Sequence, residues 1–208
     1  QEAAMGFLPN SNFENNLHTV RGWTNPHLVG YAESHDEERI MYKNLQFGNS
    51  SGSYNIRDLN TALKRSELTT SFLLTMPGPK MIWQFGEMGY DYSINTCVNG
   101  TVNNNCRLDN KPVRWDYLQV IQRQRLYDIN KSLLALRKNA WYKDVFSANN
   151  INLTRSMAGA IKWMIIRSAT DSSDLCIVGN FDVTAQSTNV TFPIAGTWYD
   201  YLQGGTFS

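Results

Sequence analysis

The sequence predicts an α/β segment followed by an all-β segment, and two observations lead to that class. Up to about residue 142, short apolar runs bounded by turn residues alternate with longer stretches of helical period, in the order strand, helix, strand, helix. From about 145 the helical period is lost. GAIKWMIIR, DLCIVGNF, TNVTF and TWYDYL then follow one another as short strands between Ser, Asp, Thr and Gly turns, the pattern of an antiparallel sandwich. The expected organisation is therefore 1–142 and 143–208.

Residues 1–27, rich in Asn, Gly and Pro without a sustained period, read as an extended lead-in. HLVGYAES (27–34) reads as a buried strand, bounded by Pro26 and by charge. HDEERIMYKNLQFGNSSGSYN begins polar and ends in a Gly/Ser/Asn loop. Asp58 is placed to cap a helix whose apolar positions 59, 63, 70 and 74 roughly share a face, and Pro77-Gly78-Pro79 stops it. KMIWQFG (80–86) is the second buried strand. A long Asn-rich loop spans 87–117, and loops of that length inside compact domains are usually functional. The segment 118–138 reads as a helix on Leu126, Ile129, Leu133 and Leu136. At the other end, Gly204-Gly205 would turn a hairpin with only Thr206, Phe207 and Ser208 left to answer it, so the last sheet is expected to be incomplete.

Composition narrows the function. The 208 residues are 42% apolar and carry a net charge of +1, which excludes a nucleic-acid binder working through a basic stripe. No run of 18 apolar residues exists to span a membrane. The 25 aromatic residues (6 Trp, 10 Tyr, 9 Phe) can fill a sizeable core, yet the length falls short of the ~250 residues of a complete eight-stranded β/α barrel. Of three cysteines, Cys97 and Cys106 lie in a polar loop that can close as a disulfide, worth roughly 2.7 kcal/mol on the chain-entropy estimate. The competing metal reading lacks a neighbouring His or further Cys. Cys176, in an apolar run, reads as a buried free thiol. A bridge favours an oxidising compartment, so a secreted, periplasmic or cell-surface location is expected. A chain that opens on Gln1 reads as a processed or excised piece of a longer one.

The chemistry-bearing candidates begin with Glu33-Ser34-His35-Asp36-Glu37-Glu38-Arg39, at the carboxyl end of the first strand. In α/β architectures that is where catalytic groups gather, and His, Asp and Arg together suit a polyhydroxy ligand. The alternative is a solvated helix start, where acids favour the first turn. Glu87 has two readings, lining a site or holding its own loop. Trp83 and Trp115 either stack on sugar rings or pack in the core. Tyr90 and Asp91 follow the second strand as candidate substrate contacts, while His18 and His27 lack partners in sequence.

VGYAESHDEER resembles the region around the seventh barrel strand of the α-amylase superfamily, family 13 of the glycoside hydrolases. PGPKMIWQFGEMGYD is similar to the eighth-strand segment, DNKPVRWDYL to the stretch that follows it, and GTWYDYLQGG to part of the C-terminal β-sandwich. The matches are collinear from 27 to about 205 and stand closest to secreted bacterial α-amylase-like proteins. The resemblance implies the last two β/α units of a (β/α)8 barrel followed by an antiparallel β-sandwich domain. It implies a retaining cleavage of α-1,4-glucosidic bonds in starch- or glycogen-like glucans, with Asp36 as the third catalytic carboxylate and His35, Tyr90 and Asp91 as substrate contacts. Ser34 departs from the family, which usually has Asn there. No segment resembles the strands carrying the nucleophilic Asp and the acid Glu, so the chain alone is expected to be inactive. No cofactor or metal is expected in it. Calcium is left open for a parent protein, because the family's calcium ligands usually come from segments absent here. The expected partner is an α-glucan, with no nucleic acid and no membrane. Two further readings stay open: a branching or transglycosylating enzyme of the same family, and a noncatalytic glucan-binding module using aromatics of the 145–208 sheet.

Overall fold

The computed structural model describes residues 1–147, 149, 152–168 and 174–208. Its elements run α1 (Glu2–Met5), α2 (Ile40–Phe47), β1 (Ser50–Ser51), β2 (Tyr54–Asn55), α3 (Leu59–Thr75), α4 (Ile121–Lys138), α5 (Lys143–Ser147), β3 (Asn152–Ser156), β4 (Ile161–Arg167), β5 (Asp174–Asn180), β6 (Trp198–Tyr199) and β7 (Thr206–Phe207). Single 3₁₀ turns occupy parts of the lead-in and of the 87–117 loop.

The long helices follow their sequence patterns. α4 buries Leu126, Ile129, Leu133 and Leu136, the predicted stripe, and sets Ile129 and Leu133 against Leu74 of α3. α3 begins after Asp58, but the Asp58 side chain makes no capping bond. Its polar residues are neutralised locally: the hydroxyls of Ser66, Thr69, Ser71 and Thr75 donate to carbonyls four residues earlier. At its end the open carbonyls are collected by cations, as the charge at a helix C-terminus favours. Arg137 Nη1 donates to Leu74 O and Met76 O, and Nη2 to Gly78 O. Lys80 Nζ donates to Pro77 O and Gly78 O.

α2 occupies the middle of the stretch expected to begin polar and end in a loop. Ile40, Met41 and Asn44 are buried on one side of it, and Met41 packs with Ala62, Leu63 and Leu126. The two predicted strands differ from expectation in extent. They meet in parallel at one bridge, Gly30 with Lys80, where Gly30 N–H donates to Pro79 O at 2.9 Å and Met81 N–H to Gly30 O at 3.0 Å. A parallel ladder is built from neighbours on both sides, and two lone segments are too few to propagate one. The lead-in, read as extended, opens instead with the buried turn α1.

β3, β4 and β5 form an antiparallel meander, with Ile165 opposite both Thr154 and Cys176. The turn residues 169–173 of the predicted β4–β5 connection lie outside the described residues. The sheet lies on α3. Phe72 of the helix and Met76 just beyond its end share a cluster with Met164 and Ile166 of β4, Leu136, Phe146, Met157 and Phe181. Close approach depends on Gly179, where a Cβ would stand 2.4 Å from Leu68 Cδ1 of α3. The described residues thus place a helix, not a second sheet, against this face. TNVTF (188–192) forms no strand. The last hairpin closes on two residues of each strand: Trp198 pairs with Phe207 and Tyr199 with Thr206. It docks on α4 through Leu202 and through the Tyr201 hydroxyl, which donates to Ser132 O at 2.9 Å.

Two buried cations tie the start of the chain to the sheet. Arg65, only 2% exposed, donates through Nε to Ala4 O, through Nη1 to Asn180 O and Asp182 O, and through Nη2 to Ala3 O and Phe181 O. Lys162 Nζ, fully buried, donates to Ser11 Oγ, Met157 O and Gly159 O and lies over the rings of Phe13 and Phe181. Phe13, Phe72 and Phe181 meet edge to face with centroids 5.2–5.7 Å apart.

Arg65→Met keeps the apolar stem but strands the carbonyls it served, and it is expected to lower unfolding free energy by at least about 3 kcal/mol in denaturant titration. Arg65→Lys, with three donors on a point charge, should recover less than half of the loss. Burial lowers the Lys162 ammonium to about 8 and the Lys80 ammonium to about 7, the latter helped by Arg137. Above these values the unfolded chain holds protons that the folded chain has released. Their contribution to stability therefore rises with pH from about 7 to about 10, the unfolded lysine value. Denaturant midpoints across that range should show a smaller upward slope in Lys162→Met.

Candidate functional site

The first strand ends in a turn organised from below by Glu33. Its carboxylate is buried, accepts the Ile40 N–H at 2.7 Å, and so caps the start of α2. Its other oxygen accepts from Arg39 Nη1 at 3.0 Å. Burial pushes this carboxyl up, while Arg39 and the Ile40 amide act against the shift. Gly86, at the end of the second segment, makes room for it: a Cβ there would lie 2.7 Å from Glu33 Oε1. The Arg39 guanidinium lies 4.8 Å above the Tyr90 ring and 5.8 Å from that of Trp83.

Because Glu33 caps the helix, His35 and Asp36 are left free at the turn. Their side chains are 66% and 68% exposed, and His35 Nε2 stands 3.4 Å from Asp36 Oδ2. The Ser34 hydroxyl accepts the Asp36 N–H at 3.1 Å and donates to the Glu37 carboxylate, so the residue that departs from the family pattern shapes the turn. The His35 ring is 5.6 Å from that of half-buried Trp83, within the second segment. His35, Asp36 and Trp83 are thus brought together beyond the bridge that pairs the two segments.

Tyr90 and Asp91 are placed differently from the expected sugar contacts. Tyr90 is 1% exposed and gives its hydroxyl to Pro112 O at 2.7 Å. Burial pushes that hydroxyl up to about 12. Asp91 is held by Arg123 of α4 at 2.6 Å and by the Tyr117 hydroxyl. Asp91 fixes the 86–91 turn to α4, and Tyr90 fixes it to the later part of the loop at Pro112. Burial first, and then Asp91, push the Tyr117 hydroxyl up. Trp115 is 63% exposed with its ring edge-on to Phe85, and it shares an open groove with Glu87, Ile82 and Lys131. Phe85 takes a left-handed φ of +58°, rare for a bulky side chain and a form of strain that gathers at functional sites. His18 is buried.

The 87–117 loop is closed by a disulfide between Cys97 and Cys106. Among the described residues, the cysteine–carboxylate group that could hold a metal is Cys97, Cys106 and Asp109, and its sulfurs are already bonded to each other. The loop also delivers Arg107, whose Nη2 donates to Asp36 O at 2.5 Å and lies 3.8 Å from Asp36 Oδ1. Sequence reading did not foresee the roles of Glu33 and Arg107. Glu33 sits in the quoted motif, but Arg107 is 71 residues from Asp36 and nothing local signals their contact. Cys176, on β5, is half-buried rather than fully buried as expected, and burial pushes its thiol up to about 11.

No family model matches the chain, and no curated protein matches it as a relative. Among the described residues, no helix is long and apolar enough to cross a membrane.

Thiol titration of the denatured, unreduced protein is expected to find one reactive group, Cys176, rising to three after reduction. Three before reduction would refute the bridge.

Proposed function

We propose that this chain is part of a retaining glycoside hydrolase of the α-amylase type, acting on α-1,4-linked glucans, and that it contributes the third carboxylate, Asp36. In this reading the nucleophile and the acid come from other parts of the polypeptide that contains it. One observation carries the proposal. The His35–Asp36 pair stands exposed beyond the carboxyl end of one parallel-paired segment, beside Trp83 of the other, while the capping task is done by Glu33. A carboxylate freed from capping can accept bonds from sugar hydroxyls, and those bonds strengthen as the ring distorts and positive charge develops. His35 is suited to donate to the same sugar, and Trp83 to offer part of a ring face. The supporting turn enters through Glu33 and Arg39, which fix the backbone from which the pair projects.

The noncatalytic binding module has one observation in its favour: Trp198 of the last hairpin packs against Phe192, but Tyr199 and Tyr201 are both exposed.

Two measurements test the proposal. NMR titration of the chain with maltoheptaose should perturb His35, Asp36 and Trp83. Perturbation confined to β3–β7 would replace the enzyme reading by the binding module. In the polypeptide that contains the whole catalytic set, Asp36→Asn should lower kcat by about 10²–10³ with little change in substrate affinity, the loss expected for one preorganised electrostatic contact. Near-normal turnover with a lowered melting midpoint would make Asp36 a structural residue.

A further inference from the structure

We propose that Arg107 is a positioning residue for Asp36, and that the Cys97–Cys106 disulfide keeps it in place. The inference rests on the reading of Asp36 as a substrate-facing carboxylate.

The turn 34–38 belongs to no helix or strand. Within its own segment, the peptide of Asp36 is fixed by one hydrogen bond, from its N–H to the Ser34 hydroxyl. From outside the segment, Gln1 Nε2 donates to Glu38 O at 2.6 Å, and the disulfide-bearing loop holds the turn at two further points. At the near end, the Glu38 carboxylate accepts from the Ser93 hydroxyl at 2.7 Å and from Ile94 N–H at 2.8 Å. At the far end, Arg107 donates to the carbonyl of Asp36 itself and sets its charge beside Asp36 Oδ1, leaving Oδ2 facing His35.

The far clamp can act only if the loop brings Arg107 back to the turn. Residues 98–105 are exposed, Val98 and Val102 included, so burial does little to fix their path. Within 97–106 the buried residue is Cys97, next to fully buried Thr96. The disulfide transfers that fixed place to Cys106, the immediate neighbour of Arg107. Lys111 Nζ reinforces the closure by donating to both Thr96 O and Cys106 O. Backbone bonds also hold the base of the loop, Cys97 N–H to Thr101 O at 2.7 Å and Asn103 N–H to Asn95 O at 3.0 Å, but they end at Asn103. Opening the bridge returns a loop-closure cost for the stretch that leads on to Arg107. A carboxylate that must meet a distorted sugar ring has little tolerance for displacement, since shifts of about 1 Å cost heavily in turnover.

The experiment follows amide hydrogen exchange at residues 34–37, with α4 as the internal reference, in the oxidised protein, after reduction, and in Arg107→Ala and Arg107→Lys. Dithiothreitol breaks the S–S bond to two thiols while closing to its own cyclic disulfide. Reduction and Arg107→Ala should each speed exchange at 34–37 by about tenfold, the effect of losing a charge-assisted bond from a locally opening turn, with α4 unchanged. Arg107→Lys should restore most of the protection, because a cationic donor remains. Unchanged exchange after confirmed reduction overturns the proposal, as does a Lys variant no better than Ala. Should reduction also loosen α4, the two Arg107 variants decide alone. Maltoheptaose added to the oxidised protein separates the two claims. If it leaves His35 and Asp36 unperturbed, the glucan reading of Asp36 fails while the clamp is still measured by exchange.

Discussion

A single buried guanidinium constrains most of the molecule. Arg65 lies in the middle of α3, faces inward, and spends its donors on the carbonyls of Ala3 and Ala4 at one end of the chain and of Asn180, Phe181 and Asp182 near the other. Those carbonyls belong to places where regular structure stops, the turn α1 and the end of β5, and among them Ala3 O also accepts the Gly6 N–H at 3.2 Å. A planar fork with five donors suits such a cluster. Burial works against the charge, and the surrounding carbonyl dipoles stand in for the water it gives up. With α1 and the sheet both fixed to Arg65, the orientation of α3 is set, and the packing of Phe72 and Met76 follows from it.

The same solution recurs wherever irregular backbone enters the interior. Lys162 gathers Met157 O and Gly159 O at the β3–β4 turn, and Arg137 with Lys80 gathers the carbonyls around Pro77-Gly78-Pro79. That last group matters for the site, because it fixes the point from which the 80–85 segment departs beside Gly30. Above it, Glu33 and Arg39 hold the opposite end of the paired segments. The His35–Asp36 turn therefore projects from a backbone fixed at both ends by ionic side chains, within a region that contains almost no ladder of its own.

How much of this was legible in the sequence depends on the range of the interaction concerned. α4 was legible because Leu126, Ile129, Leu133 and Leu136 encode a face within one helix. The end of α3 was legible because proline acts on its own backbone. The disulfide was legible because a short loop leaves its cysteines few other partners. α2 was legible only as an alternative, a helix start after the charged run: Glu37, Glu38 and Arg39 just ahead of it read as solvated, and the cap that starts it, Glu33, arrives from the preceding strand. Arg65 on a helix reads as a surface charge, and its burial was decided by carbonyls up to 117 residues away. The placement of Tyr90 and Asp91 was missed for a similar reason. Pro112, Tyr117 and Arg123 claim their polar atoms from across a loop whose path the sequence does not state.

The cluster around Phe72, Met76 and Leu136 is completed by Phe146, Met157, Met164, Ile166 and Phe181, so it straddles the position near 142 where the sequence changes character. A boundary in pattern is then not a boundary in cohesion. Severing the backbone there would leave each piece with half an apolar interior exposed to water. Neither piece would be expected to persist alone, and the two stretches should melt together in one cooperative transition. A protease acting near that point would meet a chain whose connecting peptide can be accessible while its flanks remain interlocked. A nicked molecule of this kind can keep its shape until denaturant separates the halves, and it would then have to reassemble as two chains, at a rate set by concentration.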